Sequence, residues 1–196
     1  MLTDPPYGMG KEFKNDLPGE ADNLISDILP GLKQSTIGNV LMFWSAQRMD
    51  RIWPLFSPKR LMIWNKEWAI YAPNNVGYRY EPLIWVSGKG AVRKRGDIFN
   101  SFPIIREVQE ESVGHPTQKP LGLITEIIQD FSENENTVLD CFLGSGTTLV
   151  AAKNLGRQAI GIEIEEKYCE IAAKRLQQEV LPLTFDEPKP TQGALL

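Results

Sequence analysis

The chain has 196 residues, a hydrophobic fraction of 42% and a net charge of −4. This length suits one domain with a full-sized core, and no run approaches the ~18 apolar residues that cross a membrane. Two cysteines and one histidine indicate neither a disulfide framework nor a zinc site. We therefore expect one cytoplasmic domain over residues 1–196, with no signal peptide, membrane segment or metal site.

The first residues form a turn rich in hydrogen-bond acceptors. Asp4, Pro5, Pro6 and Tyr7 place a carboxylate, carbonyl groups and an aromatic ring in one short segment. Each proline fixes its own φ and pushes the preceding residue into an extended conformation, so the acceptors should face outward. Such a turn suits a planar group that carries an NH2, although a plain surface turn is the alternative. Only three residues precede it, which predicts a very short first strand, a strand replaced by another segment, or a truncated chain.

The next segments alternate between helical and strand patterns. Apolar spacing predicts a helix over Ala21–Leu29 that ends at Pro30 and Gly31, and a second helix over Ala46–Phe56, up to Pro54. Apolar runs predict three strands. They cover Asn39–Ser45, Lys59–Trp64 and Glu81–Val86.

Residues 87–114 are rich in glycine and charge and are expected to form an inserted loop region. Between Val86 and Arg106 only Asp97 opposes a group of basic side chains, in a protein that is acidic overall. The group consists of Lys89, Arg93, Lys94, Arg95 and Arg106. A solvated loop and a nucleic-acid-binding segment both fit this composition. The tail after Pro182 is expected to be loosely ordered over 182–196.

The second half has the pattern of a strand, a glycine loop, a helix and a strand, which predicts a right-handed crossover between parallel strands. The whole chain therefore predicts an α/β, Rossmann-like fold with an open, mostly parallel sheet, helices on both faces and a first strand that is cut short. The predicted elements are a helix at Leu121–Phe131, a strand at Thr137–Phe142, a loop at Leu143–Thr147, a helix at Thr148–Leu155, a strand at Gln158–Ile164 and a helix at Glu165–Val180.

This glycine loop has the features of a nucleotide site. Gly144 and Gly146 leave backbone amides open to a ligand, and Asp140 lies just before them. Glu163 ends the next strand, where an acid typically accepts hydrogen bonds from ribose hydroxyls. Leucine replaces the third glycine of the dinucleotide pattern at position 149, which disfavours NAD and FAD. A ligand with ribose and adenine but no pyrophosphate fits better, and S-adenosylmethionine is such a ligand.

Four sequence blocks together resemble the DNA amino-methyltransferases, which methylate N6 of adenine or N4 of cytosine. They are DPPYG at 4–8, HPTQKP at 115–120, LDCFLGSGTT at 139–148 and LGRQAIGIEIEEKYCEIAAKRL at 155–176. IWNK at 63–66 and the segment from Arg79 to Glu81 match more loosely. The order, with the catalytic block first and the cofactor loop last, is similar to the β subgroup. The resemblance implies the class I S-adenosylmethionine-dependent methyltransferase fold.

The resemblance also implies roles for individual residues. Asp4 and Pro5 would accept hydrogen bonds from the base amine, with Pro6 shaping the turn, and Tyr7 would stack on a base flipped out of the duplex. His115 would be the structural start of its block. The implied cofactor residues are Thr117, Gln118 and Lys119 at the methionine carboxylate, Asp140 at the methionine amino group, Gly144 and Gly146 along the methionine and ribose, and Glu163 at the ribose hydroxyls. Phe142 is a further implied cofactor residue.

The expected partner is double-stranded DNA in a bacterial or phage-infected cell. Residues 87–114 fall where the family places its target-recognition region, so the basic side chains there are candidates for phosphate contacts. They are Lys89, Arg93, Lys94 and Arg95. The aspartate of the first block favours adenine N6 as the methyl acceptor. Cytosine N4 is one alternative, and a truncated, non-catalytic cofactor- or DNA-binding remnant is another. The family also allows a homodimer and a cognate restriction enzyme.

Overall fold

A computed structural model describes residues 1–8, 16–35, 37–56, 58, 60–71, 77–88, 90–91, 101–102, 115 and 117–177. The elements are β1 (Leu2–Thr3), α1 (Pro18–Ser35), β2 (Asn39–Phe43), a 3-10 turn (Ala46–Arg48), α2 (Met49–Phe56), β3 (Arg60–Tyr71), β4 (Gly77–Ser87), β5 (Ser101–Phe102), α3 (Leu121–Phe131), β6 (Thr137–Asp140), α4 (Thr147–Asn154), β7 (Gln158–Gly161) and α5 (Glu166–Gln177). The candidate DNA contacts Lys89, Arg93, Lys94 and Arg95 lie outside these residues, as do the tail 182–196 and most of 87–114.

The strands form two sheets. Five strands make a mixed sheet in the order β1-β2-β4-β3-β5, and β6 and β7 pair in parallel as a second sheet. The α/β class is confirmed, and the sheet is mixed because β4 runs antiparallel to both of its neighbours, β2 and β3. Only residues 72–76 separate β3 from β4, which is too short for the crossover that a parallel pair requires.

Helices cover both faces of the larger sheet, as predicted. Leu41, Phe43 and Leu83 are buried in one cluster with apolar side chains of α3 and α4. Val40 and Met42, which alternate with them along β2, are buried in a second cluster with residues of α1 and α2. This alternation follows from the two-residue period of a strand. It explains why β2 is a continuous apolar run, because both of its faces lie in a core.

The predicted short first strand is present as β1. It pairs in parallel with β2, where Leu2 lies opposite Leu41. The Met1 ammonium group donates a hydrogen bond to the Asn39 carbonyl at 2.6 Å. On its other side, β1 is tied to β6 by a side-chain hydrogen bond from Thr3 Oγ1 to Asp140 Oδ1, at 2.8 Å. We call this junction between β1 and β6, where the two sheets meet, the seam.

The first helix runs further than predicted. α1 passes through Pro30 and continues to Ser35, whereas the sequence predicted an end at Pro30. Proline removes one intrahelical donor, and here it lies on the exposed side while Ala21 and Ile25 anchor the inner side in the core. Packing therefore outweighs the local cost of the proline. In the second half, by contrast, α3 has the predicted bounds.

Candidate active site

One cavity of about 590 Å³ is lined by residues from the start of the chain and from its second half, and this volume is typical of ligand sites. The acceptor turn (residues 4–8) lies at one end of the cavity, and the glycine loop (residues 143–147) lies at the other. Gly146 belongs to that loop but does not line the cavity. Of the predicted site residues, those that line it are Asp4, Pro5, Pro6, Tyr7, Thr117, Gln118, Lys119, Asp140, Phe142, Gly144 and Glu163.

Both carboxylate oxygens of Asp4 accept hydrogen bonds in this structure. The Tyr7 hydroxyl donates to Oδ1 and the Lys119 ammonium donates to Oδ2. The same hydroxyl lies 2.8 Å from Glu81 Oε1, and the Tyr7 ring packs against Trp44 with centroids 5.5 Å apart. Burial, and then the charges of Asp4 and Glu81, raise the pKa of the Tyr7 phenol well above its ordinary value. Tyr7 is thus a donor to Asp4 here, and its stacking on a base stays a prediction.

Glu81 and Lys66 complete an ion network that sequence reasoning did not assign. Glu81 accepts from Lys119 at Oε1, at 2.9 Å, and from Lys66 at Oε2. Burial opposes the ionisation of Glu81, but the charges of Lys119 and Lys66 outweigh it and lower its pKa to about 2. Two carboxylates and two ammonium groups therefore balance in this network. The sequence feature that could have indicated these two residues is their position. Lys66 comes soon after one apolar strand segment, and Glu81 comes directly before another.

The far end of the acceptor turn is held at Gly8. Gly8 has a φ of 71°, which favours glycine. Its N–H donates to Asp16 Oδ1 at 2.8 Å, and its carbonyl accepts from Arg48 Nη1 at 2.9 Å. Arg48 in turn donates to both oxygens of Asp22 at 2.7 Å. The turn is therefore fixed from β1 on one side and from α1 and the 3-10 turn on the other.

Backbone geometry shapes the glycine loop. Gly144 and Gly146 have φ values of 54° and 86°, in the left-handed region that other residues rarely adopt. A Cβ atom on Gly146 would lie 2.7 Å from the Cβ of Ala172, so α5 packs directly on this glycine. Arg175, also on α5, donates to the Ser145 carbonyl at 2.8 Å. The loop is thus fixed by its own torsions and by α5.

Glu163 is oriented toward the cavity by backbone amides. Its Oε2 accepts from the Gly144 N–H at 2.7 Å, and its Oε1 accepts from the N–H groups of Ile164 and Glu165 at 2.8 and 2.9 Å. A carboxylate has about four acceptor positions. These three contacts leave capacity for a hydroxyl group of a ligand.

Asp140 is fully buried beneath the loop. It accepts from Thr3 at 2.8 Å, from the Phe142 N–H at 3.1 Å and from the Thr148 hydroxyl. Burial raises its pKa to about 6, because these donors only partly offset the loss of solvation. Asp140 therefore changes charge close to neutral pH, and it lies at the wall where a ligand's ammonium group is predicted.

His115 forms another part of this wall. Its ring packs edge-on against Tyr168, with centroids 4.5 Å apart, and a Cβ atom on Gly144 would lie 3.0 Å from its Nε2. Burial lowers the pKa of His115. Within the described ranges, no group of three or more His, Cys, Asp or Glu side chains could hold a metal ion. No helix in those ranges is long and apolar enough to span a membrane.

A family model described as DNA methylase (N6_N4_Mtase) matches residues 1–174. The chain belongs to the N6/N4 DNA methylase family. Among the relatives of this chain, the type II methyltransferase M.BglII of Bacillus subtilis is 26% identical, over 91% of this chain and 63% of that protein. The DNA adenine methyltransferase YhdJ of Escherichia coli K12 is 27% identical, over 90% of this chain and 75% of that protein.

Solved structures share the fold of this chain. The crystal structure of an M1.HpyAVI–SAM complex has a TM-score of 0.69 and 27% sequence identity, and the match covers 90% of this chain and 87% of that one. The class I methyltransferase fold predicted from the four sequence blocks is therefore confirmed. The chain spans less than two thirds of the length of M.BglII.

Proposed function

We propose that the protein transfers a methyl group from S-adenosylmethionine to the N6 amine of adenine in double-stranded DNA. The observation that carries this proposal is the single cavity shared by the acceptor turn and the glycine loop. Methyl transfer needs the donor and the acceptor held within reach and in line, and a shared cavity provides for this. Family membership supports the reaction, and the SAM complex of M1.HpyAVI supports the cofactor.

The acceptor turn holds the base amine in this proposal. An exocyclic amine is a poor nucleophile because its lone pair is delocalised into the ring. Hydrogen bonds from the NH2 to the Asp4 carboxylate and the Pro5 carbonyl favour a tetrahedral nitrogen and free that lone pair. In this proposal the amine displaces the Tyr7 hydroxyl from Asp4 Oδ1, and the Tyr7 ring is then free to stack on the flipped base.

The residues of the loop end fit S-adenosylmethionine. Gly144 lets a ligand approach the backbone, and Glu163 keeps acceptor capacity for ribose hydroxyls. Asp140 supplies a carboxylate for the methionine ammonium group, while Thr117, Gln118 and Phe142 line the remaining wall. When bound, the cofactor supplies a methyl group on a sulfonium centre.

The acceptor turn would hold the amine nitrogen in line with this methyl group, so that the nitrogen–carbon bond would form as the carbon–sulfur bond breaks and the neutral thioether leaves. The proton lost from nitrogen would pass to water beside the Asp4 carboxylate. The enzyme forms no covalent bond in this step. Neither cysteine is needed as a nucleophile, and burial raises the pKa of the Cys141 thiol, which keeps it protonated. Orientation and electrostatics supply most of the rate.

Adenine is favoured over cytosine because the first block begins with Asp4, whereas N4 enzymes more often have serine there. The relative YhdJ, which matches 90% of this chain, is named a DNA adenine methyltransferase. Cytosine N4 is the alternative acceptor, because its amine has the same chemistry and fits the same turn.

A labelling experiment tests the proposal. The protein is incubated with methyl-tritiated S-adenosylmethionine and unmethylated bacterial DNA, and the DNA is then digested to nucleosides and separated. Label in N6-methyldeoxyadenosine is expected, and label in N4-methyldeoxycytidine would establish the alternative. A folded protein that leaves the DNA unlabelled is the non-catalytic remnant. As a control, Asp4→Asn keeps the shape of the side chain and should lower kcat by about a thousandfold.

The DNA contacts are also a proposal. We propose that Lys89, Arg93, Lys94 and Arg95 bind phosphates and position the duplex. Replacing the three arginine and lysine residues at 93–95 with alanine should weaken DNA binding and flatten its dependence on salt. An unchanged affinity and salt dependence would contradict the proposal. A homodimer and a cognate restriction enzyme remain expectations from the family.

A further inference from the structure

Lys119 was expected at the cofactor carboxylate, but its side chain lies at the acceptor turn. Its ammonium group contacts Asp4 Oδ2, lies 2.9 Å from Glu81 Oε1 and lies 3.4 Å from the Tyr7 hydroxyl. It also lies over the Phe43 ring, 4.9 Å from the centroid. An ammonium group has three N–H donors. Two of the three contacts are therefore made to the acceptor turn, at Asp4 and Tyr7, and the third is made to Glu81.

Lys119 is held in place from behind. Its side chain is 10% exposed, and its contact Glu81 is bound at the other oxygen by the equally buried Lys66. Charges alternate along this line from Lys66 to Glu81, to Lys119 and to Asp4. Burial favours a neutral lysine, but Asp4 and Glu81 outweigh it and raise the pKa of Lys119. Lys119 thus stays charged at neutral pH.

The Asp4 carboxylate needs a partner such as Lys119, because the aspartate side chain alone does not fix the direction in which its carboxylate points. The terminal torsion of an aspartate is broad and has no sharp preferred value. Asp4 is 24% exposed, next to the open cavity. If the amine displaces the Tyr7 hydroxyl from Oδ1, the bond from Lys119 to Oδ2 is the remaining side-chain contact recorded for this carboxylate in the described part of the chain.

We propose that Lys119 is a positioning residue of the acceptor turn, which orients the Asp4 carboxylate toward the base amine and is itself fixed by Glu81 and Lys66. The inference rests on the proposed methyl transfer to a base amine. In this inference, groups other than Lys119 bind the methionine carboxylate. Lys119 therefore affects the rate of methyl transfer and not the affinity for the cofactor.

The test separates these two roles with Lys119→Met, which keeps the length of the side chain and removes its charge. Cofactor binding is measured by calorimetry, and kcat is measured at saturating cofactor and DNA. A positioning role predicts a Kd for S-adenosylmethionine within about twofold of the wild type and a kcat about a hundredfold lower. A Kd raised about tenfold or more, with kcat near the wild-type value, would overturn the inference.

A second variant covers the case in which Lys119→Met does not fold. Glu81→Gln keeps the shape of that side chain and removes one charge that holds Lys119. We expect a smaller fall in kcat, again with unchanged cofactor affinity. Weaker cofactor binding with normal kcat would overturn the inference here too. Lys174→Met, on the exposed surface of α5, is the matched control and should change neither quantity.

A crystal structure of the folded variant gives a readout that needs no turnover. The wild-type labelling experiment tests the proposed function by itself, whereas the variant structure tests the inference even if that function fails. We expect the Asp4 carboxylate to rotate away from its wild-type direction once the contact at Oδ2 is lost. Asp4 and Tyr7 in unchanged positions would show that Lys119 does not orient them.

Discussion

The two ends of the cavity hold a buried carboxylate in opposite ways. At the acceptor turn, burial opposes the ionisation of Glu81, but two lysine charges outweigh it and lower the pKa to about 2. At the glycine loop, burial of Asp140 is opposed only by hydroxyl and amide donors, and its pKa rises to about 6. The full charges of the two lysines thus compensate Glu81 for its lost solvation, whereas the hydroxyl and amide dipoles around Asp140 do not compensate that carboxylate fully.

The difference extends to how each end is built. The acceptor turn depends on long side chains from distant parts of the sequence, such as Lys119, which is 115 residues from Asp4. The glycine loop depends on the torsions of adjacent residues and on close packing by α5. We therefore expect charge substitutions to damage the first end, and steric substitutions and pH changes to affect the second.

The largest effect is expected from Lys66→Met, which leaves Glu81 with one lysine partner inside the protein. Breaking a buried ion pair on one side typically costs about 3–5 kcal/mol. The free energy of unfolding in urea measures this loss. Lys174→Met, on the exposed surface of α5, should stay within about 0.5 kcal/mol of the wild type. Equal stabilities for the two variants would show that the network does not stabilise the fold.

Asp140→Asn should change how stability depends on pH. The folded pKa of about 6 lies above the ordinary value of 3.8, so between these values the folded protein binds more protons than the unfolded chain. The free energy of unfolding therefore falls as pH rises from about 4 to about 6, by about 3 kcal/mol.

In the Asp140→Asn variant, the free energy of unfolding should not show this fall between pH 4 and 6. Urea unfolding of both proteins at several pH values between 4 and 6 gives the difference, in which the opposite contribution of Glu81 cancels because both proteins contain it. Parallel curves for the two proteins would mean that Asp140 is not the group responsible.

A pair of glycine substitutions separates torsional strain from steric contact at the loop. Gly146 and Gly156 have φ values of 86° and 70°, so alanine is strained at both. A Cβ atom on Gly156 meets nothing within 4 Å, but on Gly146 it meets Ala172 at 2.7 Å. Gly146→Ala should therefore destabilise the protein by about 2 kcal/mol more than Gly156→Ala. Gly146→Ala should also weaken cofactor binding in calorimetry. Equal losses of stability in the two variants would show that Ala172 does not pack closely on position 146.

The smallest effect is expected at the seam, from Thr3→Val. Valine keeps the shape of the buried side chain but removes the donor to Asp140. The loss should be about 1.5 kcal/mol at neutral pH, where the acceptor is mostly charged. Thr3→Ser keeps the hydroxyl and should retain most of that stability in the same urea measurement. If Thr3→Ser were as unstable as Thr3→Val, the loss of stability would come from altered packing and not from the lost hydrogen bond.

The sequence predicted the parts of the site that lie in short contiguous segments. Asp4 to Tyr7, Gly144 and Glu163 line one cavity because each belongs to a local motif with a defined place in the α/β fold. The helices and strands of the second half were predicted within a few residues, since their apolar period is regular and glycine or polar residues bound them.

The remaining features depend on contacts that local patterns do not encode. Lys66 and Glu81 meet because β3 and β4 pair in a register that places Trp64 opposite Glu81, and the sequence alone does not fix that register. Lys119 belongs to a block associated with the cofactor, but its long side chain reaches the acceptor turn. The continuation of α1 through Pro30 is likewise decided by tertiary packing.

The way in which β1 and β6 are joined at the seam bears on how the product would leave in the proposed reaction. In a continuous sheet, backbone ladders fix neighbouring strands about 4.8 Å apart, whereas the hydrogen bond recorded between β1 and β6 in the described residues is that of a side chain, Thr3 to Asp140. A rotation of that side chain would release this hydrogen bond without breaking a ladder. In the proposed reaction we therefore expect the cavity to widen at the seam when a methylated base leaves, while the ion network and the glycine loop each keep their shape.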